Sequence, residues 1–269
     1  MESRNPVLNR EFADPQRYAS FHEPPPSADQ LQRMVDGPPV ATGRTMTLDD
    51  VVVKTGVMFV VLVATAVVGW NLVETSPVVV WVSALVAFGF AMAVIVKRDA
   101  SPVLVLLYSA FEGLFLGGIS RWYALYAGHG TEDPNIVLQA VVGTFVGFGV
   151  MLALYKSGRL RATPRFQRML IGAMVSYLVI ALASLVAAIF GVGGGWGFYG
   201  VTGIGLLLCV VGVGLAAFSL VLDFDMIERG VAAGLPERES WRAAFGLMVT
   251  LVWLYLELLR LLAILNGRR

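Results

Sequence analysis

Long apolar runs separated by short polar connections make up the sequence from residue 51 onward. Seven such segments cover about residues 51–73, 77–96, 102–126, 135–155, 168–190, 200–228 and 242–265. Each is near the length that a helix needs to cross a bilayer, about 20 residues at 1.5 Å per residue. Hydrocarbon offers the backbone no hydrogen bonds, so such runs are stable there as helices, and no alternating ten-residue strands of a barrel occur. The pattern therefore predicts an all-α polytopic membrane protein with seven transmembrane helices.

The composition supports this fold class and excludes several functions. Of 269 residues, 57% are hydrophobic and 14% are charged, whereas a soluble domain has about a quarter charged residues. A net charge of +1 is too balanced for nucleic acid to be the main partner. The connections contain no Walker loop or dinucleotide fingerprint, so the sequence predicts no cofactor.

Residues 1–46 are polar and contain several prolines, unlike the rest of the chain. Such a segment cannot bury enough apolar surface to offset its chain entropy. We therefore predict a flexible polar N-terminal tail over residues 1–46, followed by a seven-helix transmembrane domain over residues 47–269.

Basic residues alternate between the connections and predict the orientation. Lys and Arg are concentrated in the tail and in the second, fourth and sixth connections, and the first, third and fifth connections contain none between the helices. Since basic residues resist translocation, this pattern places the N-terminus in the cytoplasm. Seven spans then place the C-terminus outside. Arg268 and Arg269 oppose that placement, which leaves room for a last segment that re-enters the membrane rather than crossing it.

Ionisable residues inside apolar segments are functional candidates, because each costs at least about 2.5–3.5 kcal/mol at the bilayer centre. The candidates are Glu112, Asp223, Asp225, Glu257 and Arg260. Glu112 lies roughly 15 Å along its helix, near the middle of the membrane. Two interpretations of Glu112 stay open: a site that takes up protons or cations, or a protonated carboxyl that is hydrogen-bonded to nearby backbone.

Asp223 and Glu257 lie on the last two segments, which form a hairpin around residues 235–237. Counting along both helices gives an offset of about 8 Å, which helix tilt and the Glu side chain can absorb, so we expect the two carboxyls to meet. Two carboxyls in a low dielectric cannot readily both ionise, and the pair would share a proton. Two alternatives stay open. In the first, Asp223 is merely the last residue of a helix entering the cytoplasm. In the second, Arg260, one turn after Glu257, neutralises Glu257 in place of a shared proton.

Three motifs resemble the Bax inhibitor-1 family, in particular its bacterial branch. They are Phe-Glu-Gly-Leu-Phe-Leu-Gly at 111–117, Leu-Asp-Phe-Asp-Met-Ile at 222–227 and Tyr-Leu-Glu-Leu-Leu-Arg-Leu-Leu at 255–262. The resemblance implies that the last helix is surrounded by the other six. It also implies a pH-dependent calcium leak controlled by two acids, which correspond here to Asp223 and Glu257. The chain departs from the family pattern with Glu rather than Asp at 257 and with Asp225 as an alternative member of the pair; for the family's latch arginine near the second helix, Arg98 is the only candidate.

These features together predict a pH-dependent passive cation leak channel, with calcium as the ion, gated by a buried pair of carboxylates. Glu112, Asp223 and Glu257 supply the oxygen ligands that calcium prefers, in a transient rather than a fixed metal site. Calcium and protons are the expected permeant or regulatory ions. The expected location is the bacterial plasma (inner) membrane, with the lipid bilayer as the surrounding partner and no protein partner identified.

Two other classes of protein compete with the leak channel. The polar tail and Gly-rich helix surfaces, such as Gly113-x-x-x-Gly117, would suit a membrane interaction protein that modulates stress responses through partner helices. An intramembrane hydrolase would need a Gly-x-Gly-Asp signature, which is missing at Asp223 and Asp225, or a histidine base within a span. We therefore predict that the protein is not an enzyme.

Overall fold

The computed structural model describes residues 44–97, 101–128, 132–200 and 203–267. The helices in these ranges are α1 Leu48–Thr75, α2 Val78–Val96, α3 Pro102–Ala127, α4 Asn135–Lys156, α5 Pro164–Ile189, α6 Ile204–Ala232 and α7 Glu239–Asn266. Two 3₁₀ turns, Val192–Gly195 and Gly197–Gly200, follow α5. All seven α-helices are long and apolar enough to cross a membrane. The predicted all-α membrane fold is confirmed, and no β-strand occurs in the part of the chain that the structure describes.

Local sequence signals explain where several helices begin. At the start of α1, the Thr47 hydroxyl accepts a hydrogen bond from the Asp50 N–H, and the Asp50 carboxylate accepts one from the Thr47 N–H, which forms a capping box. Pro102 and Pro164 lie in the first turns of α3 and α5, where a missing N–H leaves no helical hydrogen bond unmade. Polar residues at the membrane surface extend several helices beyond the apolar runs, so that α7 begins three residues before the predicted 242.

The last helix, α7, lies at the centre of the bundle. It packs against α1, α3, α4 and α6, while α2 packs mainly on α3, and α5 contacts α6. On α7, Leu254, Leu259 and Ala263 are almost completely buried. The predicted central position of the last helix is therefore confirmed.

Glycines allow α1 and α3 to approach closely. A Cβ at Gly117 would collide with the Ala66 carbonyl of α1, and a Cβ at Gly69 would collide with the Leu114 carbonyl of α3. Small residues at such contacts let helix backbones pack directly in a membrane. The Gly-rich surface at Gly117, which the sequence offered for a partner helix, packs against α1 of the same chain.

Polar contacts join helix ends on one side of the bundle. We call the side on which α1, α3, α5 and α7 begin the N-terminal side. Here Lys54 of α1 lies 3.5 Å from the Glu237 carboxylate of the α6–α7 loop, and Arg242 of α7 donates to the Lys97 carbonyl after α2 at 2.9 Å. These contacts place the odd-numbered helix starts beside the even-numbered helix ends.

The residues just before α1 pair with the α6–α7 loop. The Met46 N–H donates to the Leu235 carbonyl at 2.8 Å, and the Glu237 N–H donates to the Arg44 carbonyl at 2.8 Å. Met46 is also buried. The last three residues of the predicted tail are thus held against this hairpin, and the rest of that tail, residues 1–43, lies outside the described residues.

Candidate functional site

The carboxyls of Asp223 and Glu257 do not meet. Glu257 lies against Gly212 of α6, where a Cβ would come 2.8 Å from Glu257 Oε2. Gly212 is about three turns, or 16 Å, before Asp223 on the same helix. Asp223 instead lies beside Thr250, about two turns before Glu257 on α7. The predicted pair is wrong, because the antiparallel contact between α6 and α7 places a glycine rather than an acid opposite Glu257.

Glu257 is neutralised on its own helix. Arg260 Nη1 lies 3.2 Å from both carboxylate oxygens. The Tyr177 hydroxyl donates to Oε1 at 2.9 Å, and Trp253 Nε1 donates to the same oxygen at 3.2 Å. The residue is only 3% exposed. A buried carboxylate with an arginine and two further donors needs no second acid, so the open alternative in which Arg260 neutralises Glu257 is the arrangement observed.

Tyrosines from other elements surround this ion pair. Arg260 Nε donates to the Tyr123 hydroxyl of α3 at 3.0 Å, and its guanidinium lies 4.3 Å from the Tyr199 ring centroid. The Tyr199 hydroxyl donates to the Tyr177 hydroxyl of α5 at 2.9 Å. We call Glu257, Arg260, Tyr123, Tyr177 and Tyr199 the Arg–Glu cluster. It joins α3, α5, the second 3₁₀ turn and α7, in the half of the bundle away from the N-terminal side.

Asp223 is a carboxyl with no counter-ion among the described residues. Its Oδ2 atom is buried and has no hydrogen-bond partner among the described residues, and Thr250 is its polar neighbour. The residue lies about 14 Å from the α6 end at Ala232, on the N-terminal half of the bundle. Burying an acid at this depth without a counter-ion costs free energy, which makes Asp223 the strongest functional candidate of the predicted set.

Glu112 is a second carboxyl of this kind. Within the described residues it takes part in no hydrogen bond and no ion pair, and it affects the neighbouring Tyr108 electrostatically. It lies about 15 Å from the start of α3 at Pro102, a depth similar to that of Asp223 measured from the same side. Both α3 and α6 pack against α7. The interpretation of Glu112 as a proton or cation site stays a prediction.

The other two predicted site residues are not part of this arrangement. Asp225 forms an ion pair with Arg229 one turn later on α6, and Gln167 of α5 donates to its Oδ2 at 3.4 Å. Asp225 is therefore not the partner of Glu257, because its carboxylate is engaged on a different face of α6. Arg98, the candidate latch residue, lies outside the described residues.

Arg121 is a buried charge that the sequence reasoning missed. This α3 side chain is 10% exposed and pairs with both Glu74, near the end of α1, and Glu132, before α4. It also donates to the Trp70 carbonyl at 3.1 Å. The available signal was an arginine inside the third apolar segment. These contacts tie three helix ends together on the side opposite the N-terminal side.

No fixed metal centre is visible in these arrangements. Across the described residues, no three His, Cys, Asp or Glu side chains converge as a group that could hold a metal ion. Cys209 is a buried free thiol. Any cation bound at Asp223 would therefore take most of its ligands from backbone, hydroxyl and water oxygens.

The family model described as Bax inhibitor 1 like matches residues 5–267. That range contains all seven helices and every candidate residue above. A search of curated proteins finds no match to the chain.

Proposed function

The chain belongs to the Bax inhibitor 1 like family, and from this premise we propose that it is a pH-dependent passive leak for cations, with calcium as the ion. The observation that carries the proposal is the buried carboxylate oxygen of Asp223, which has no hydrogen-bond partner in the part of the chain that the structure describes. A membrane protein gains no packing from such an oxygen, and a proton or a cation is the partner that would offset its burial.

The ligand chemistry at Asp223 suits a hard cation that passes through. Calcium takes six to eight oxygen ligands, and the carboxyl of Asp223 with the Thr250 hydroxyl supplies only a few of these. A site so incomplete leaves several positions to water and holds calcium weakly. Weak binding is what conduction needs, because an ion must be able to leave.

Protons compete with cations for the same oxygen atoms. Protonation of Asp223 or Glu112 removes the negative charge that attracts a cation, so calcium binding at these carboxyls weakens as pH falls. Glu257 is not part of this competition, since Arg260 already neutralises it. The proposed pH response therefore depends on the two unpaired acids, in place of the carboxyl pair expected from the sequence.

The Arg–Glu cluster is the proposed barrier to cations in the half of the bundle away from Asp223 and Glu112. Its side chains link α7, α3 and α5 through an internally neutral network. Such a network gives a cation no net attraction. Opening would require α5 and α7 to separate at the Tyr177–Glu257 hydrogen bond.

We further propose that the N-terminal side faces the cytoplasm of a bacterium and that the protein lies in the plasma (inner) membrane. On this side the α4–α5 connection and the adjoining helix ends carry exposed basic residues, namely Lys156, Arg159, Arg161, Arg165 and Arg168. Basic residues at helix ends are retained in the cytoplasm. Single cysteines placed in this connection should react with a membrane-impermeant thiol reagent only after the membrane is opened.

Calcium entry into reconstituted liposomes tests the leak. Wild-type protein should admit calcium to a degree that changes between about pH 5 and pH 8, and Asp223→Asn should make this change smaller, because only Glu112 then remains to titrate. Asp225→Asn is the matched control, since it removes an acid two residues away that is already paired with Arg229. Identical pH profiles for wild type, Asp223→Asn and Glu112→Gln would refute the proposal.

A further inference from the structure

An elongated cavity of about 690 Å³ lies between α5 and α7, beside the Arg–Glu cluster. Nine α5 residues between Ile171 and Ala188 line it, a stretch of about 25 Å along the helix. The volume is in the range of small-molecule binding sites, about 300–1,000 Å³. The cavity is thus long rather than round, which favours a chain-like ligand.

The cavity is open to the lipid side of the bundle. Several of its lining residues also belong to the outer surface, with Val175 55% exposed, Leu178 57% and Trp81 56%. Except near the Arg–Glu cluster, the wall consists mainly of aliphatic and aromatic side chains. A ligand can therefore enter sideways from the bilayer without crossing water.

Two hydrogen-bond donors on residues that line this cavity have no acceptor among the described residues. Arg260 donates through Nε to Tyr123 and through Nη1 to Glu257, and its Nη2 has no hydrogen-bond partner among the described residues. The Tyr123 hydroxyl accepts from Arg260, so its own proton is available. Both residues line the cavity, and the Arg260 side chain keeps 23% of its surface exposed. The missing partner is a hydrogen-bond acceptor.

We propose that the cavity binds one membrane phospholipid. An acyl chain lies along α5 toward Ile171, and a phosphate or ester oxygen accepts hydrogen bonds from Arg260 Nη2 and the Tyr123 hydroxyl. A phospholipid fits because it combines an apolar chain with acceptor oxygens and is present at the lateral opening. Charge-assisted hydrogen bonds from arginine to phosphate are among the stronger ones available. This proposal does not rest on the leak activity.

Binding of this lipid has a structural consequence for the Arg–Glu cluster. The bound oxygen would satisfy the last donor of Arg260, while the acyl chain would fill the space beside Tyr177, which links α5 to Glu257. The lipid would therefore hold α5 against α7. An emptied cavity should loosen this contact.

The test uses a cavity-filling substitution and a matched control on the same helix. Ala181 lines the cavity, so Ala181→Phe would occupy the space of the acyl chain. Ala183 is exposed and does not line it, so Ala183→Phe adds the same ring outside. Each protein is reconstituted in phosphatidylglycerol–phosphatidylethanolamine vesicles, extracted in mild detergent and washed, and the phospholipid that remains is counted by native mass spectrometry.

Wild type and Ala183→Phe should each retain one phospholipid per chain, and Ala181→Phe should retain none. Tyr123→Phe should retain less than wild type, because it removes a donor without closing the cavity. Circular dichroism checks that every variant is folded. Equal retention in Ala181→Phe and Ala183→Phe, no retained lipid in wild type, or a retained fatty acid or detergent in place of phospholipid would each overturn the proposal.

Discussion

Replacing Arg260 by leucine is expected to destabilise the protein by about 3–5 kcal/mol, because it leaves a buried carboxylate without its counter-ion. Arg260 Nη1 is 3.2 Å from both oxygens of Glu257, and Glu257 is 3% exposed. Tyr177 and Trp253 would remain as donors to the carboxylate, but neither carries a positive charge. Glu257→Gln should cost less, since Arg260 keeps part of its surface exposed.

The double variant Glu257→Gln/Arg260→Leu separates the ion pair from the packing around it. Residues in contact show coupling energies of about 0.5–3 kcal/mol, whereas residues more than about 7–10 Å apart are additive within about 0.5 kcal/mol. We expect coupling in the Glu257–Arg260 cycle. The Asp223→Asn/Glu257→Gln cycle should be additive, because Glu257 contacts α6 at Gly212, about 16 Å from Asp223 along the helix.

Both cycles are measured as unfolding free energies in detergent micelles, with helical circular dichroism as the signal. Identical detergent and pH are needed for all variants, since the titration of Asp223 and Glu112 would otherwise enter the comparison. A coupling energy between Asp223 and Glu257 as large as that between Glu257 and Arg260 would refute this register of α6 against α7. It would indicate that the two carboxyls are in contact.

Two further substitutions test the packing of α7. Gly212→Ala should lower the unfolding temperature in detergent, because its Cβ would come 2.7 Å from the Glu257 carboxyl carbon. Gly214→Ala is the control and should leave the unfolding temperature unchanged, since its Cβ would have nothing within 4 Å. Equal shifts in the two variants would contradict the contact between Gly212 and Glu257. Lys54→Met should free the α6–α7 loop by removing the contact with Glu237, seen as faster protease cleavage there, and an unchanged rate would show that the backbone pairing alone holds the loop.

The sequence was sufficient for the helices and insufficient for their register. Apolar runs of spanning length predict helices because a membrane leaves the backbone no alternative. The Glu257–Arg260 pair was within reach of sequence reasoning, since its partners are one turn apart. The Asp223–Glu257 pair failed because helix tilt and side-chain reach do not close the offset between the two residues. With α6 ending at Ala232 and α7 beginning at Glu239, Asp223 lies about 14 Å and Glu257 about 27 Å from the loop, and Glu257 packs against Gly212 instead. Arg121 was missed because its two acid partners lie outside the apolar core of the segments.

The ionisable residues of the spans divide into a neutralised set and an unpaired set, and this division bears on the direction of ion movement. In one half of the bundle Glu257 is paired with Arg260; in the other, no cation of the described residues lies beside Asp223 or Glu112. A cation entering from the N-terminal side would meet attraction first and the neutral cluster second. From the opposite side it would meet the cluster first. In the proposed leak, the step past the Arg–Glu cluster therefore limits flux in both directions, and the unpaired carboxyls set how often an ion occupies the N-terminal side of the cluster.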